Sequence, residues 1–140
     1  MDNRSAITAL GLENARVIAI IGGGGKSSLM AALGEEFRHR GETAVMTTTT
    51  HIRPPRQNGY MGDDAAVLSD LLITNRVMTV GMPAEEHKFG PSPLLERLPQ
   101  LADRVIIEAD GTKGLPLWFP RSLSVFAVCT TLGDPAPGIC

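Results

Sequence analysis

The chain has 140 residues, a formal net charge of −2, 43% hydrophobic and 20% charged residues, which suits one domain with its own core and gives no electrostatic reason to expect nucleic-acid or anionic-membrane binding. No apolar run approaches a bilayer span, and Met1-Asp2-Asn3-Arg4 lacks the layout of a secretory signal. The two cysteines, Cys129 and Cys140, fit neither a zinc pattern nor a disulfide framework, so a cytoplasmic protein is expected.

In chain order, residues 2–10 predict a short helix with Ile7 and Leu10 on one side and Gly11 ending it. Residues 17–21, Val-Ile-Ala-Ile-Ile, form an apolar run without alternation, as in a central parallel strand covered on both faces. The loop Gly22-Gly23-Gly24-Gly25-Lys26-Ser27-Ser28 follows. Then comes a helix-period run through Leu29, Met30, Leu33 and Phe37, expected to reach Arg40 and stop at Gly41.

Strand, glycine loop, Lys-Ser and helix are the parts of a phosphate-binding loop, in that order. Glycines let the backbone curl so that several N–H groups face one concavity, and the helix start adds the positive end of its dipole. Lys26 would reach the β- and γ-phosphates of ATP or GTP, and the Ser27 hydroxyl would ligate Mg²⁺. The strict pattern wants a glycine where Ile20 stands, so the tighter Gly-Gly-x-Gly-Lys-Ser loop of the SIMIBI class fits better. The dinucleotide pattern Gly-x-Gly-x-x-Gly fits worse, because Ser27 stands at its third glycine.

Residues 43–46 predict a second strand, followed by Thr47, Thr48, Thr49, Thr50 and His51. The threonines suit a strand, yet four in a row exceed what a strand needs, and Thr48 and Thr49 are candidate ligand hydroxyls. His51 reads as a hydrogen-bonded or surface histidine rather than a base. A loop with Arg53, Pro54, Pro55, Arg56 and Gly59 comes next. Asp63 and Asp64 then open a helical segment through Leu72, and residues 77–80 are a third strand. Residues 85–90, with His87 and Lys88, read as a solvated loop. Ser92-Pro93 reads as the cap and first residue of a helix that Pro99 keeps short.

Residues 104–108, Arg-Val-Ile-Ile-Glu, form the last clear strand and lead into Ala109-Asp110-Gly111. Glu108 and Asp110 stand where an acid would hold Mg²⁺ or position a water. Gly111, three residues after Glu108, echoes a γ-phosphate-sensing glycine, although Asp-Gly is also a common turn. Lys113 could touch a phosphate or be a solvated lysine. Alternating strands and helices imply an α/β fold, a three-layer, mostly parallel sheet flanked by helices. Ligands of such sheets bind beyond the strands' carboxyl ends, where the glycine loop, the threonines and Glu108 all begin.

Three stretches together resemble the YqeC family: residues 20–30 around the glycine loop, 45–52 around the threonines, and 105–117, Val-Ile-Ile-Glu-Ala-Asp-Gly-Thr-Lys-Gly-Leu-Pro-Leu. Lys88-Phe89-Gly90 also fits the family layout. Members are described as accessory proteins of selenium-dependent molybdenum hydroxylases. The resemblance implies a cytoplasmic P-loop protein of cofactor maturation, with the family's loop lysine on Lys26, its hydroxyl on Ser27, its acids on Glu108 and Asp110, and its following lysine on Lys113. The expected activity is Mg²⁺-dependent binding and hydrolysis of ATP or GTP; a small-molecule kinase or a non-catalytic nucleotide switch would use the same loop. The expected partners are the nucleotide and a molybdenum hydroxylase or its maturation proteins.

The resemblance covers residues 5–120, expected as the nucleotide-binding domain. Residues 121–140 change character, and the expectation is a C-terminally truncated chain with an altered tail; the alternative is a genuine terminal strand over 124–128.

Overall fold

The computed structural model describes residues 5–22, 25–109, 125–130 and 138–139. Among them the core is a seven-stranded sheet, formed by β1 (Val17–Gly22), β2 (Ala44–Thr48), β3 (Gly59–Tyr60), β4 (Val77–Val80), β7 (Arg104–Glu108), β8 (Val125–Thr130) and β9 (Gly138–Ile139). Their spatial order is β3-β4-β2-β7-β1-β8-β9, parallel throughout except for the final pair. A separate antiparallel hairpin joins β5 (Met82–Ala84) to β6 (Lys88–Gly90).

Alternate residues of the central strands supply two cores. Val17, Val45, Val105 and Ile107 pack with Leu68 and Leu72 of α3 (Ala65–Asn75) and Leu98 of α4 (Leu98–Leu101). Ile18, Ile20 and Ile106 pack instead with Ile7 of α1 (Ala6–Ala9) and with Met30, Leu33 and Phe37 of α2 (Lys26–His39). The sheet is thus covered on both faces, which is why β1 and β7 read as continuous apolar runs. The expectation of a three-layer, mostly parallel α/β fold holds.

Local chemistry sets the helix ends. Asp64 caps α3, its carboxylate accepting from the amides of Ala66 and Val67 at 2.9 and 3.4 Å. Helix α2 ends at His39, one residue before the expected Arg40, and Gly41 follows with φ +79°. On its exposed face the Arg38 guanidinium hydrogen-bonds Glu35 and holds that carboxyl below its usual range.

Several boundaries differ from the sequence-based expectations. Helix α1 is only Ala6–Ala9, capped by Ser5, whose hydroxyl accepts from the Thr8 amide. Strand β2 starts at Ala44 and takes in Thr47 and Thr48. The stretch after Ser92 begins as a turn and a 3-10 segment, Leu95–Arg97, before α4. Pro99 lies in the first turn of α4, where its missing N–H has no carbonyl to serve. The expected solvated loop 85–90 contains β6, with Phe89 buried. Strand β8 lies parallel to β1, from one residue beyond the start of the alternative terminal strand to two residues past its end.

Candidate functional site

The site forms at the carboxyl edge of three adjacent strands, β1, β7 and β2. Ile20 of β1 and Thr48 of β2 are both in register with Glu108 of β7, so β2 and β7 end side by side while β1 runs two residues further, to Gly22. The Ala109 amide donates to the Ile20 carbonyl at 3.0 Å and the Thr49 amide to the Glu108 carbonyl at 3.2 Å, carrying the register one residue beyond the strands.

Two glycines of the loop are described, and both have left-handed φ. Gly22 at the end of β1 has φ +126° and Gly25, the cap of α2, has φ +76°. A Cβ on Gly25 would meet nothing within 4 Å among the described residues, and its φ is one that glycine alone adopts freely. Among the described residues no side chain caps α2. Its first turn therefore presents amides that have no carbonyl partner within the helix, together with the positive end of the dipole. Gly23 and Gly24 lie outside the described residues.

Lys26, the first residue of α2, is directed across to β7. Its Nζ stands 3.6 Å from Oε1 of Glu108, and both side chains are close to nine-tenths buried. Ser27 and Ser28 are exposed in the same first turn. Lys26, Ser27 and Glu108 are thus brought to one place, with the glycine bend at their side. Asp110, Gly111 and Lys113 lie outside the described residues.

The threonines divide by role. Thr47 is fully buried and its hydroxyl donates to the Val80 carbonyl at 2.7 Å, tying β2 to β4. Thr48, also fully buried, donates to the Glu108 carbonyl at 3.1 Å and accepts from the Thr50 amide at 2.9 Å. The Thr49 hydroxyl is buried with no hydrogen-bond partner among the described residues. Two of the four hydroxyls therefore hold the sheet edge, and His51 is exposed beyond them.

Beside Lys26 and Glu108 an open cleft of about 200 Å³ runs between α2 and the segment after the threonines, with Ser27 and Glu108 in its wall. Among the described residues no group of three His, Cys, Asp or Glu side chains stands ready to hold a metal, and no helix is long and apolar enough to cross a membrane.

The family model described as YqeC protein matches residues 18–124, from the second residue of β1 to the position before β8. The chain belongs to the YqeC family. A relative in Escherichia coli, named "Uncharacterized protein YqeC", is 33% identical over 113 residues, an alignment covering 74% of this chain and 44% of the relative. This YqeC-family chain thus spans less than half the length of that relative. No solved structure matches it. The family match includes the loop, the threonines and Glu108, the three clusters that the sheet gathers at one edge.

Sequence reasoning missed the cleft. Its wall includes Ala31, Met46, Arg53 and Thr79, which come together only through the fold. The only local signal was the spacing of Ser27 and Ala31, four residues apart on one helix face.

Proposed function

We propose that this chain is a Mg²⁺-dependent ATP- or GTP-binding protein of the P-loop kind that hydrolyses its nucleotide to drive a step in maturation of a selenium-dependent molybdenum hydroxylase. One observation carries the nucleotide part. At the start of a helix that follows a left-handed glycine bend, Lys26 reaches across to an acid at the end of the neighbouring strand, Nζ to Oε1 3.6 Å. A lysine and an acid on either side of an anion-attracting helix start make the arrangement that phosphoryl transfer needs.

The residues present fit the group. The amides of the first turn of α2 would bind phosphate oxygens, and Lys26 would exchange its carboxylate partner for the β- and γ-phosphates. The Ser27 hydroxyl and Glu108 would hold Mg²⁺, whose role is to offset phosphate charge. If the metal is held otherwise, Glu108 would orient the attacking water. Asp110 is the second candidate for that role. The maturation role rests on family membership and on what the resemblance implies.

The test is binding and turnover of ATP and GTP with Mg²⁺, for this chain and for Lys26→Ala, with thermal melting to check that both are folded. Lost affinity and turnover in the variant are expected; equal affinity in both would remove the nucleotide reading. For the pathway, activity of a selenium-dependent molybdenum hydroxylase should fall when the gene is deleted, and undiminished activity would remove that part alone.

A further inference from the structure

The cleft beside Lys26 lies over β2 and β4, on the α2 face of the sheet. Ser27, Met30 and Ala31 form its helix wall, and Met46 of β2 and Thr79 of β4 form its floor. Its roof is Ile52, Arg53 and Pro55, and Glu108 of β7, whose charge Lys26 offsets at 3.6 Å, completes the lining. That roof is pinned in place. Ile52 and Phe89 exchange backbone hydrogen bonds of 2.9 and 2.8 Å, which fasten the segment to the β5–β6 hairpin.

Position and chemistry say what such a cleft would take. The sheet order runs β1, β7, β2, β4. Lys26 starts beyond β1 and reaches toward β7. A lysine in this loop marks the β,γ-phosphate end of a nucleotide, and the cleft lies farther along the same direction. It is therefore on the γ-phosphate side, past the reacting end of the nucleotide. Its volume, about 200 Å³, falls below the roughly 300–1,000 Å³ of drug-sized pockets, so its ligand is small. The thioethers of Met30 and Met46 are soft, polarisable surfaces suited to the edge of an aromatic ring. Arg53 supplies a cation at the roof, with a planar fork that matches a carboxylate, sulfonate or phosphate.

We propose that this cleft is a second small-molecule site, which takes an aromatic ring compound bearing one anionic group and holds it beside the γ-phosphate end of the nucleotide. The placement rests on the nucleotide reading above; the cleft and its ligand chemistry do not.

Naphthalene-2-sulfonate, a fluorescent ring compound with one anionic group, is the probe, and neutral 2-naphthalenemethanol is its uncharged counterpart. Titration into the full chain should give saturable one-to-one binding of the sulfonate. Ala31→Phe grows a ring into the cleft from an exposed helix position and should weaken the sulfonate at least tenfold. Arg53→Glu, on an exposed loop, should weaken the sulfonate about tenfold and leave the neutral compound unchanged. Lys26→Ala should abolish ATP binding and leave the neutral compound bound as before.

If ATP fails to bind even the unaltered chain while the probe responds as above, the nucleotide reading falls and the cleft's ligand chemistry stands. Absence of saturable binding, or equal affinity in the unaltered chain, Ala31→Phe and Arg53→Glu, would overturn the proposal. Competition between ATP and the sulfonate would make the cleft a base pocket and would overturn it equally.

Discussion

Thr48 and Glu108 stand opposite each other in register across β2 and β7, and the Thr48 hydroxyl donates to the Glu108 carbonyl at 3.1 Å. The same hydroxyl accepts from the Thr50 amide at 2.9 Å. One buried side chain thus fixes both the turn leaving β2 and the strand end that carries the candidate acid. Thr48→Val keeps the shape and removes both bonds. The Glu108 carbonyl keeps the Thr49 amide, so the net loss is expected to be about 1–2 kcal/mol, read from the denaturation midpoint. Thr48→Ser should restore most of it, and a loss with neither bond involved would leave Val and Ser alike.

Two glycines should fail for different reasons. Gly25 has φ +76° and, among the described residues, no atom where a Cβ would go. Gly25→Ala should therefore cost only conformational strain, about 1–2 kcal/mol, and Gly25→Asn less, since asparagine tolerates the left-handed region. At Gly81 a Cβ would come 2.7 Å from the Gly90 carbonyl oxygen and 2.9 Å from Phe89 Cδ2. Backbone cannot step aside as a side-chain tip can, so Gly81→Ala should cost about 1–3 kcal/mol by overpacking and loosen the cleft roof through Phe89. Denaturation midpoints test both. Nucleotide affinity should fall for Gly25→Ala and hold for Gly81→Ala.

The parts legible in the sequence are those whose signal is local. Residues 17–21 and 104–108 are apolar without alternation because β1 and β7 are covered on both faces. Gly41 ends α2, and Asp64 caps α3, within a residue of where turn and cap chemistry puts them. The convergence of the glycine loop, the threonines and Glu108 was legible too, because parallel strands all end on one edge. Strands β3, β5 and β6 were not, being two or three residues long, with Pro83 inside β5. Nor was the structural use of Thr47 and Thr48, whose acceptors are carbonyls 33 and 60 positions away. The cleft was illegible for the same reason, since Met46, Arg53 and Thr79 each look ordinary until the sheet order brings Met46 and Thr79 under α2 and the 52–55 segment closes over them.

Metal dependence should separate Ser27 from Lys26. If the Ser27 hydroxyl holds Mg²⁺, Ser27→Ala should remove most of the affinity difference between Mg²⁺ and EDTA conditions. Lys26→Ala should weaken nucleotide in both. In the unaltered chain, removing Mg²⁺ should weaken ATP or GTP at least about tenfold, equivalent to ~1.4 kcal/mol. Calorimetric titration with and without EDTA reads all three. An undiminished Mg²⁺ effect in Ser27→Ala would move the metal away from that hydroxyl.

At the opposite edge of the sheet, Arg104 ties the chain together without touching the site. Its guanidinium donates to Glu42 Oε1, with Nη2 at 2.8 Å, and to the carbonyls of Ala15 at 2.8 Å and Glu13 at 2.7 Å. It also lies 4.7 Å from the centre of the Phe37 ring. It therefore fastens the segment before β1, the segment before β2 and the end of α2 to the start of β7. A lysine can keep the ion pair with Glu42, but its single ammonium cannot reach the carbonyls of Leu12, Glu13 and Ala15 and stack on the ring at once. Arg104→Lys is expected to cost about 2–3 kcal/mol, seen as a lower denaturation midpoint with the slope unchanged. Because the carboxyl edge is built from other contacts, nucleotide affinity in the folded variant should match the unaltered chain. A fall in affinity equal to that of Lys26→Ala would mean that the two edges of the sheet are not independent.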